Sequence, residues 1–211
     1  MNTPHLVILD MDSTFIQQEV IDLLAAQAGV ETEVAAVTER AMQGEIDFSE
    51  SLALRVSKLA GVTAEDIAAV QNKLTLSPGA EELVERLHDR GHLVAIFSGG
   101  FLNVIEPLLA SLKIDFFRAN TLEVLEGVLT GRTIGPIIDA QAKAEHLQKF
   151  AESQGIALEN TIAVGDGAND VLMMQRAGIG VAYNGKPKAI SAADYSFTNE
   201  SLVKILELIP D

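Results

Sequence analysis

The sequence predicts an α/β protein: a doubly wound parallel sheet with an all-helical insertion after its first strand. Three observations carry this prediction. Short apolar runs at residues 6–9, 93–97 and 161–164 lack the spacing of an amphipathic helix and read as strands buried on both faces. From Pro78 onward such runs alternate with helical patterns, as the strand–helix–strand units of a parallel sheet require. Between the first run and Pro78, four helical patterns follow one another with no strand among them.

Taken in order, the opening strand runs straight into Asp10-Met11-Asp12-Ser13-Thr14. Val20, Leu23, Leu24 and Ala28 then recur at helix spacing until Gly29 stops them. Residues 31–42, 48–59 and 64–74 read the same way, punctuated by Gly44, Gly61 and a Thr63-x-x-Asp66 start signal. The expected division is a core of residues 1–15 and 76–211, with residues 16–75 as a helical cap over the end of the first strand. A helix over 79–90 stops at Gly91, and the strand 93–97 ends in Ser98-Gly99-Gly100. A helix over 101–112, a short strand over 115–119 and a hairpin excursion over 122–134 come next. The helix 139–154 stops at Gly155, and the strand 161–164 breaks at Gly165-Asp166-Gly167-Ala168-Asn169-Asp170. A helix through Ala177, strands over 179–182 and 195–197, and a last helix from Glu200 complete the chain.

Composition narrows the function. The 211 residues suit one sizeable domain, or one domain with a smaller insertion. No cysteine is present, which excludes disulfide scaffolds and cysteine-based zinc sites and suits a reducing compartment. No stretch has the length of a membrane span and no signal-peptide pattern opens the chain, so a cytoplasmic protein is expected. The formal charge of −15 argues against nucleic acid and anionic membranes as partners. An anionic small-molecule substrate would need local positive charge from a metal, a lysine or an arginine.

The chemistry gathers at three strand ends. A period of two lets Asp10 and Asp12 face one pocket, where they repel unless one holds its proton or a cation lies between them. Ser98 and Gly99 end the second strand; Asp166, Asn169 and Asp170 follow the third. In a parallel sheet these ends share one edge, so the four aspartates can converge. An oxygen-only donor set favours a hard cation, and Mg²⁺ is the usual one beside phosphate. Gly99 and Gly167 allow backbone amides to approach an oxyanion, and Lys143, early in its helix, can supply an ammonium to a phosphate.

These segments, in this order, resemble the motif series of the haloacid dehalogenase superfamily, whose core is a Rossmann-like sheet. The likeness is closer to its phosphoserine-hydrolysing members and runs over nearly the whole chain, including Glu19, residues 38–44, Asp47-Phe48 to Arg55-Val56, and Gly185-Lys186-Pro187-Lys188. The resemblance implies that Asp10 is the nucleophile, forming an aspartyl-phosphate, and that Asp12 is the general acid and then the base. It implies Mg²⁺ held by the Asp10 side chain, the Asp12 carbonyl and Asp166. Ser98, Gly99 and Lys143 would hold the phosphoryl oxygens, Asn169 would contact the phosphoryl group or a water, and Asp170 would support the metal or orient Lys143. In the helical segment, Arg55 would grip the carboxylate of L-phosphoserine, Glu19 its ammonium, and Met42 and Phe48 would cover the site. With the nucleophile at residue 10, no N-terminal regulatory domain of the kind some bacterial relatives carry is expected. A phosphotransferase using another hydroxyl amino acid, a broader phosphomonoesterase, a phospho-accepting signalling module and an inactive binding protein remain open at this point.

Overall fold

A computed structural model describes residues 3–210. Its elements are β1 (Leu6–Leu9), α1 (Val20–Ala28), α2 (Glu31–Met42), α3 (Phe48–Ser57), α4 (Ala64–Gln71), α5 (Ala80–Asp89), β2 (Leu93–Phe101) and α6 (Leu102–Ser111). They continue with β3 (Phe116–Leu125), β4 (Val128–Ile134), α7 (Ala140–Ser153), β5 (Thr161–Gly165), α8 (Val171–Arg176), β6 (Ile179–Tyr183), α9 (Pro187–Ala192) and β7 (Tyr195–Phe197). The strands form one seven-stranded sheet in the order β4-β3-β2-β1-β5-β6-β7. Every pairing is parallel except β3 with β4.

β1 is central because it is apolar on both faces and fully buried. Alternate residues feed two cores. Val7, Leu9, Val94, Ile96, Ile162 and Val164 pack on one face with side chains of α1, α4, α5 and α6. Leu6, Ile8, Ala95, Phe97 and Ala163 pack on the other with Leu147 of α7, Met173 of α8 and Ala189 of α9. Each such large aliphatic side chain contributes about 1.5–3 kcal/mol by leaving water. The chain builds β2 and β3 on one side of β1 and then returns to build β5 to β7 on the other. The order therefore reverses at β1, and the crevice beyond its carboxyl end lies between β2 and β5. Open α/β sheets bind ligands at that point.

The expected local signals hold where a residue has a specific geometric task. Gly29 ends α1 in the left-handed region at φ 69°, and Thr63 with Asp66 forms a reciprocal capping box on α4. Three expectations need correction. β2 does not stop at Phe97 but runs through Ser98-Gly99-Gly100 to Phe101, with a register shift against β3 between Phe97 and Phe101. The strand expected over 115–119 and the first arm of the hairpin are one continuous β3. The last helix is a 3₁₀ segment, Leu202–Leu208, held by Leu202 N–H donating to Pro78 O at 2.8 Å.

The four-helix segment is tied to the sheet in two places. Its entry and exit run side by side: Gln17 N–H donates to Thr75 O at 2.9 Å and Ser77 N–H to Phe15 O at 2.9 Å. Its far end clasps β4, with Gly61 N–H on Leu129 O at 2.8 Å, Leu129 N–H on Val62 O at 2.8 Å and Ala64 N–H on Gly127 O at 3.0 Å. Among the described residues no helix is long and apolar enough to cross a membrane.

Candidate active site

Asp10 leaves the end of β1 with its N–H donating to Val164 O of β5 at 2.8 Å, which fixes it over the crevice. Its Oδ1 accepts from Lys143 Nζ at 2.5 Å, and the same ammonium donates to Asp170 Oδ1 at 2.8 Å. Lys143 lies in the first turn of α7, which Asp139 caps by accepting from Ala142 N–H at 2.8 Å. Lys143 and Asp170 are completely enclosed and Asp10 nearly so. An ammonium taken from water this fully needs acceptors for its protons, and two carboxyl groups supply them here.

Asp166, at the end of β5, completes an acidic cluster. One carboxylate oxygen each from Asp10, Asp166 and Asp170 lies within 4.8 Å of the others. Such hard oxygen donors suit a divalent cation such as Mg²⁺. Asp170 also accepts from Gly167 N–H at 3.0 Å, curling the loop after β5 back on itself. Gly165 makes that fold possible, since a Cβ there would lie 2.4 Å from Asp170 Cβ.

Electrostatics follow from burial. The Asp10 carboxyl is pushed up to about 8, by burial first and the charge of Asp170 second, although Lys143 opposes both. The Asp166 carboxyl is also raised by burial, against the pull of Lys186. Burial acts against the Lys143 charge, but Asp10 and Asp170 outweigh it, and the ammonium is held. Asp12 is half-buried beside them, and loss of solvent, then the charges of Glu19 and Asp10, raises its carboxyl well above the ordinary range. Burial thereby favours the protonated form of this carboxyl.

The turn Ser98-Gly99-Gly100 lies against Asp12. Ser98 is buried, and its Oγ accepts from Gly100 N–H at 2.8 Å, leaving its hydroxyl proton to donate elsewhere. A Cβ on Gly100 would stand 2.6 Å from Asp12 Oδ2, so the turn and Asp12 meet directly. Gly100→Ala is expected to turn the flexible Asp12 carboxylate aside rather than disturb the fold. The expected result is about a 100-fold loss of kcat, the lower end of what general acid–base catalysis contributes, with a melting temperature near that of the parent.

Of the other sequence-predicted residues, Phe48 reaches the site: its ring lies against Gly99, with Cζ 3.3 Å from where a Cβ would be. Asn169 is half-buried and folds over Gly167. Glu19 accepts from Ser13 Oγ at 2.8 Å, and its charge acts on Asp12 and on Arg55. Arg55 is half-buried on α3, where loss of solvent lowers its guanidinium while Glu19, Asp22 and Asp12 support the charge. Met42 is not gathered in. It stands 80% exposed at the end of α2.

Three residues at the site were not singled out with roles from sequence. Besides Gly100, Lys186 pairs through Nζ with Asp166 Oδ2 at 2.9 Å. Asn120 is buried and braces the turn, donating to Gly99 O at 2.8 Å and accepting from Ile138 N–H at 2.9 Å. Gly100 and Lys186 lay within visible motifs, the latter before a proline that restricts its backbone, whereas Asn120 left no readable mark.

A family profile described as haloacid dehalogenase-like hydrolase matches residues 7–175. The chain belongs to the haloacid dehalogenase-like hydrolase family. Within this hydrolase family it is 47% identical, over 98% of its length, to a phosphoserine phosphatase of Mycobacterium tuberculosis, of which it spans about half, 51%. It is 43% identical to a phosphoserine phosphatase of Streptococcus thermophilus, covering 98% of this chain and 96% of that one. A solved structure described as a phospho-aspartyl intermediate analogue of phosphoserine phosphatase superposes with a TM-score of 0.92 at 40% identity, covering 99% of this chain and 100% of that chain.

Proposed function

We propose that the protein is a Mg²⁺-dependent phosphoserine phosphatase, hydrolysing L-phosphoserine to L-serine and phosphate through an aspartyl-phosphate on Asp10. The observation that carries the reading is the buried Asp10–Lys143–Asp170 arrangement at the reversal of the sheet, with the Ser98-Gly99-Gly100 turn meeting Asp12 beside it. The relatives that bear this activity, one of them described with a phospho-aspartyl analogue, support it. On this reading residues 16–75 are the substrate-specifying cap.

In the first step an Asp10 carboxylate oxygen forms a bond to phosphorus as the bond to the serine oxygen breaks. The serine oxygen takes its proton from Asp12. In the second step Asp12 accepts a proton from water, the water oxygen bonds to phosphorus and the Asp10–phosphorus bond breaks. Lys143, the Ser98 hydroxyl and the Gly99 backbone hold the phosphoryl oxygens in line, with Asn169 contacting them or the water. Phosphoryl transfer asks for this positioning and charge cancellation more than for covalent variety. Asp10, Asp166 and the Asp12 carbonyl would hold Mg²⁺, with Asp170 in support, and the ion would supply charge neutralisation at the phosphoryl group. Arg55 would take the substrate carboxylate, Glu19 its ammonium, and Phe48 would exclude water. Met42 would share that covering role through a movement of α2. A cytoplasmic place, and the production of free serine from its phosphoester, belong to the same proposal.

The test is phosphate release from L-phosphoserine with Mg²⁺, beside EDTA and a panel of other phosphomonoesters. Fast, metal-dependent release selective for L-phosphoserine supports the reading. Equal release from unrelated esters would reject the substrate, and transfer to added homoserine would make the protein a phosphotransferase.

The raised carboxyls give a pH prediction. Unfolded, Asp10 ionises near the ordinary value of about 3.9; folded, it keeps its proton up to about 8. Between these values the unfolded chain binds fewer protons, so the stability of metal-free protein falls as pH rises. Asp12 and Asp166, also raised, act in the same sense. The melting temperature in EDTA is expected to fall between about pH 5 and pH 8, and added Mg²⁺ to raise it more at pH 8. A rising or flat profile in EDTA would contradict this.

A further inference from the structure

We propose that Lys186 is a displaceable counter-ion of Asp166, occupying the third carboxylate until a divalent cation takes its place and so setting how tightly that cation binds. The inference rests on the metal reading above. It starts from a division of labour between two lysines. Lys143 serves Asp10 and Asp170 and is fully buried, with no freedom to leave. Asp166 is left to Lys186, whose Nζ sits 2.9 Å from Asp166 Oδ2 while 60% of its side chain is exposed.

The backbone and side chain of Lys186 are held very differently. Its N–H donates to Asp166 O at 2.7 Å, and Pro187 fixes the start of α9 immediately after it. The anchor of the side chain is thus pinned beside Asp166, while its four-carbon stem is free to swing. A lysine ammonium is a compact charge on a flexible stem, suited to moving rather than to fixed two-pronged pairing. A second anion stands ready for it. The charges that favour the Lys186 ammonium against burial are Asp166 first, and then Glu19 and Asp170.

A cation among the oxygens of Asp10, Asp166 and Asp170 would meet this ammonium as a like charge. The two like charges repel across Asp166, and the monovalent, exposed one, unlike the enclosed Lys143, is free to give way, to solvent or toward Glu19. Without the cation, Lys186 lessens the repulsion between Asp166 and its neighbours. With it, the lost ion pair is subtracted from the binding energy. Lys186 is therefore a positioning residue for the metal, acting through Asp166.

The experiment is calorimetric titration of Mg²⁺ into the full chain, its Lys186→Met variant and its Lys186→Arg variant, without substrate. Lys186→Met is expected to bind Mg²⁺ about two- to fivefold more tightly, the scale of a partly exposed ion pair, and Lys186→Arg to bind it like the parent. A merely structural role would move the melting temperature in EDTA and leave the Mg²⁺ affinity where it was. Unchanged or weaker binding by Lys186→Met, with the parent binding normally, overturns the counter-ion role alone. A parent that takes up no Mg²⁺ overturns the metal reading, and this inference with it.

Discussion

Asp10→Asn is expected to abolish phosphate release, by at least about 10⁴-fold as for loss of a nucleophile elsewhere, and yet to leave the protein folded. The two halves of this expectation have one cause. The Asp10 carboxyl is pushed up to about 8, chiefly by burial, so in the metal-free fold near neutral pH it is held as a neutral group. An amide has the same shape and no charge, and Lys143 keeps Asp170 at 2.8 Å as its partner. At pH 8 the variant should melt in EDTA no lower than the parent. Rapid acid quench with labelled substrate should trap phosphorylated parent enzyme and no phosphorylated variant. Retained turnover in Asp10→Asn would remove Asp10 as nucleophile.

Lys143→Met should have the opposite profile, failing in stability as well as in activity. The ammonium is enclosed and touches two buried carboxylates. Removing the ammonium leaves buried carboxyl oxygens without the partner that both of them bond, at a cost of about 3–5 kcal/mol. Chemical denaturation in EDTA should show a loss of that size at pH 8. The loss should grow above pH 8, where Asp10 in the parent gives up its proton and the ammonium supports the resulting charge. A variant as stable as the parent at pH 8 would mean that the buried charges have another source of compensation.

Where the sequence was legible, a local cause was at work. The four apolar residues before Asp10 could only be a buried strand, and Gly29 and the Thr63–Asp66 pair act within a single turn of helix. The doubly wound character of the sheet followed from the alternation of strands and helices after Pro78. The contacts that assemble the site span far more chain: Lys143 meets Asp10 across 133 positions, and Asn120 reaches Gly99 across 21. Nothing near Asn120 in sequence announces that its amide will brace a turn on another strand. Lys186 was visible as part of a motif, but its role depends on where α9 begins relative to Asp166. The final segment misled because Leu202, Ile205, Leu206 and Ile209 follow α-helical spacing and are all buried. Seven residues are too few for propensity to choose the winding, and tertiary contacts settled it as 3₁₀. Met42 shows a related limit: the family resemblance implied a cover, while its place at the end of α2 leaves it in solvent.

The clasp between Gly61–Ala64 and β4 bears on how this chain could be re-engineered. Leu129 both donates to and accepts from that loop, so the tip of the β3–β4 hairpin is finished by residues more than sixty positions earlier. Transplanting residues 16–75 from a relative of different preference would strip Leu129 of both partners unless the donor loop reproduced them. The unit of exchange is therefore the four helices together with the hairpin tip. Chimeras cut at that wider seam should express and fold where those cut at the helical segment alone leave an open strand edge for aggregation.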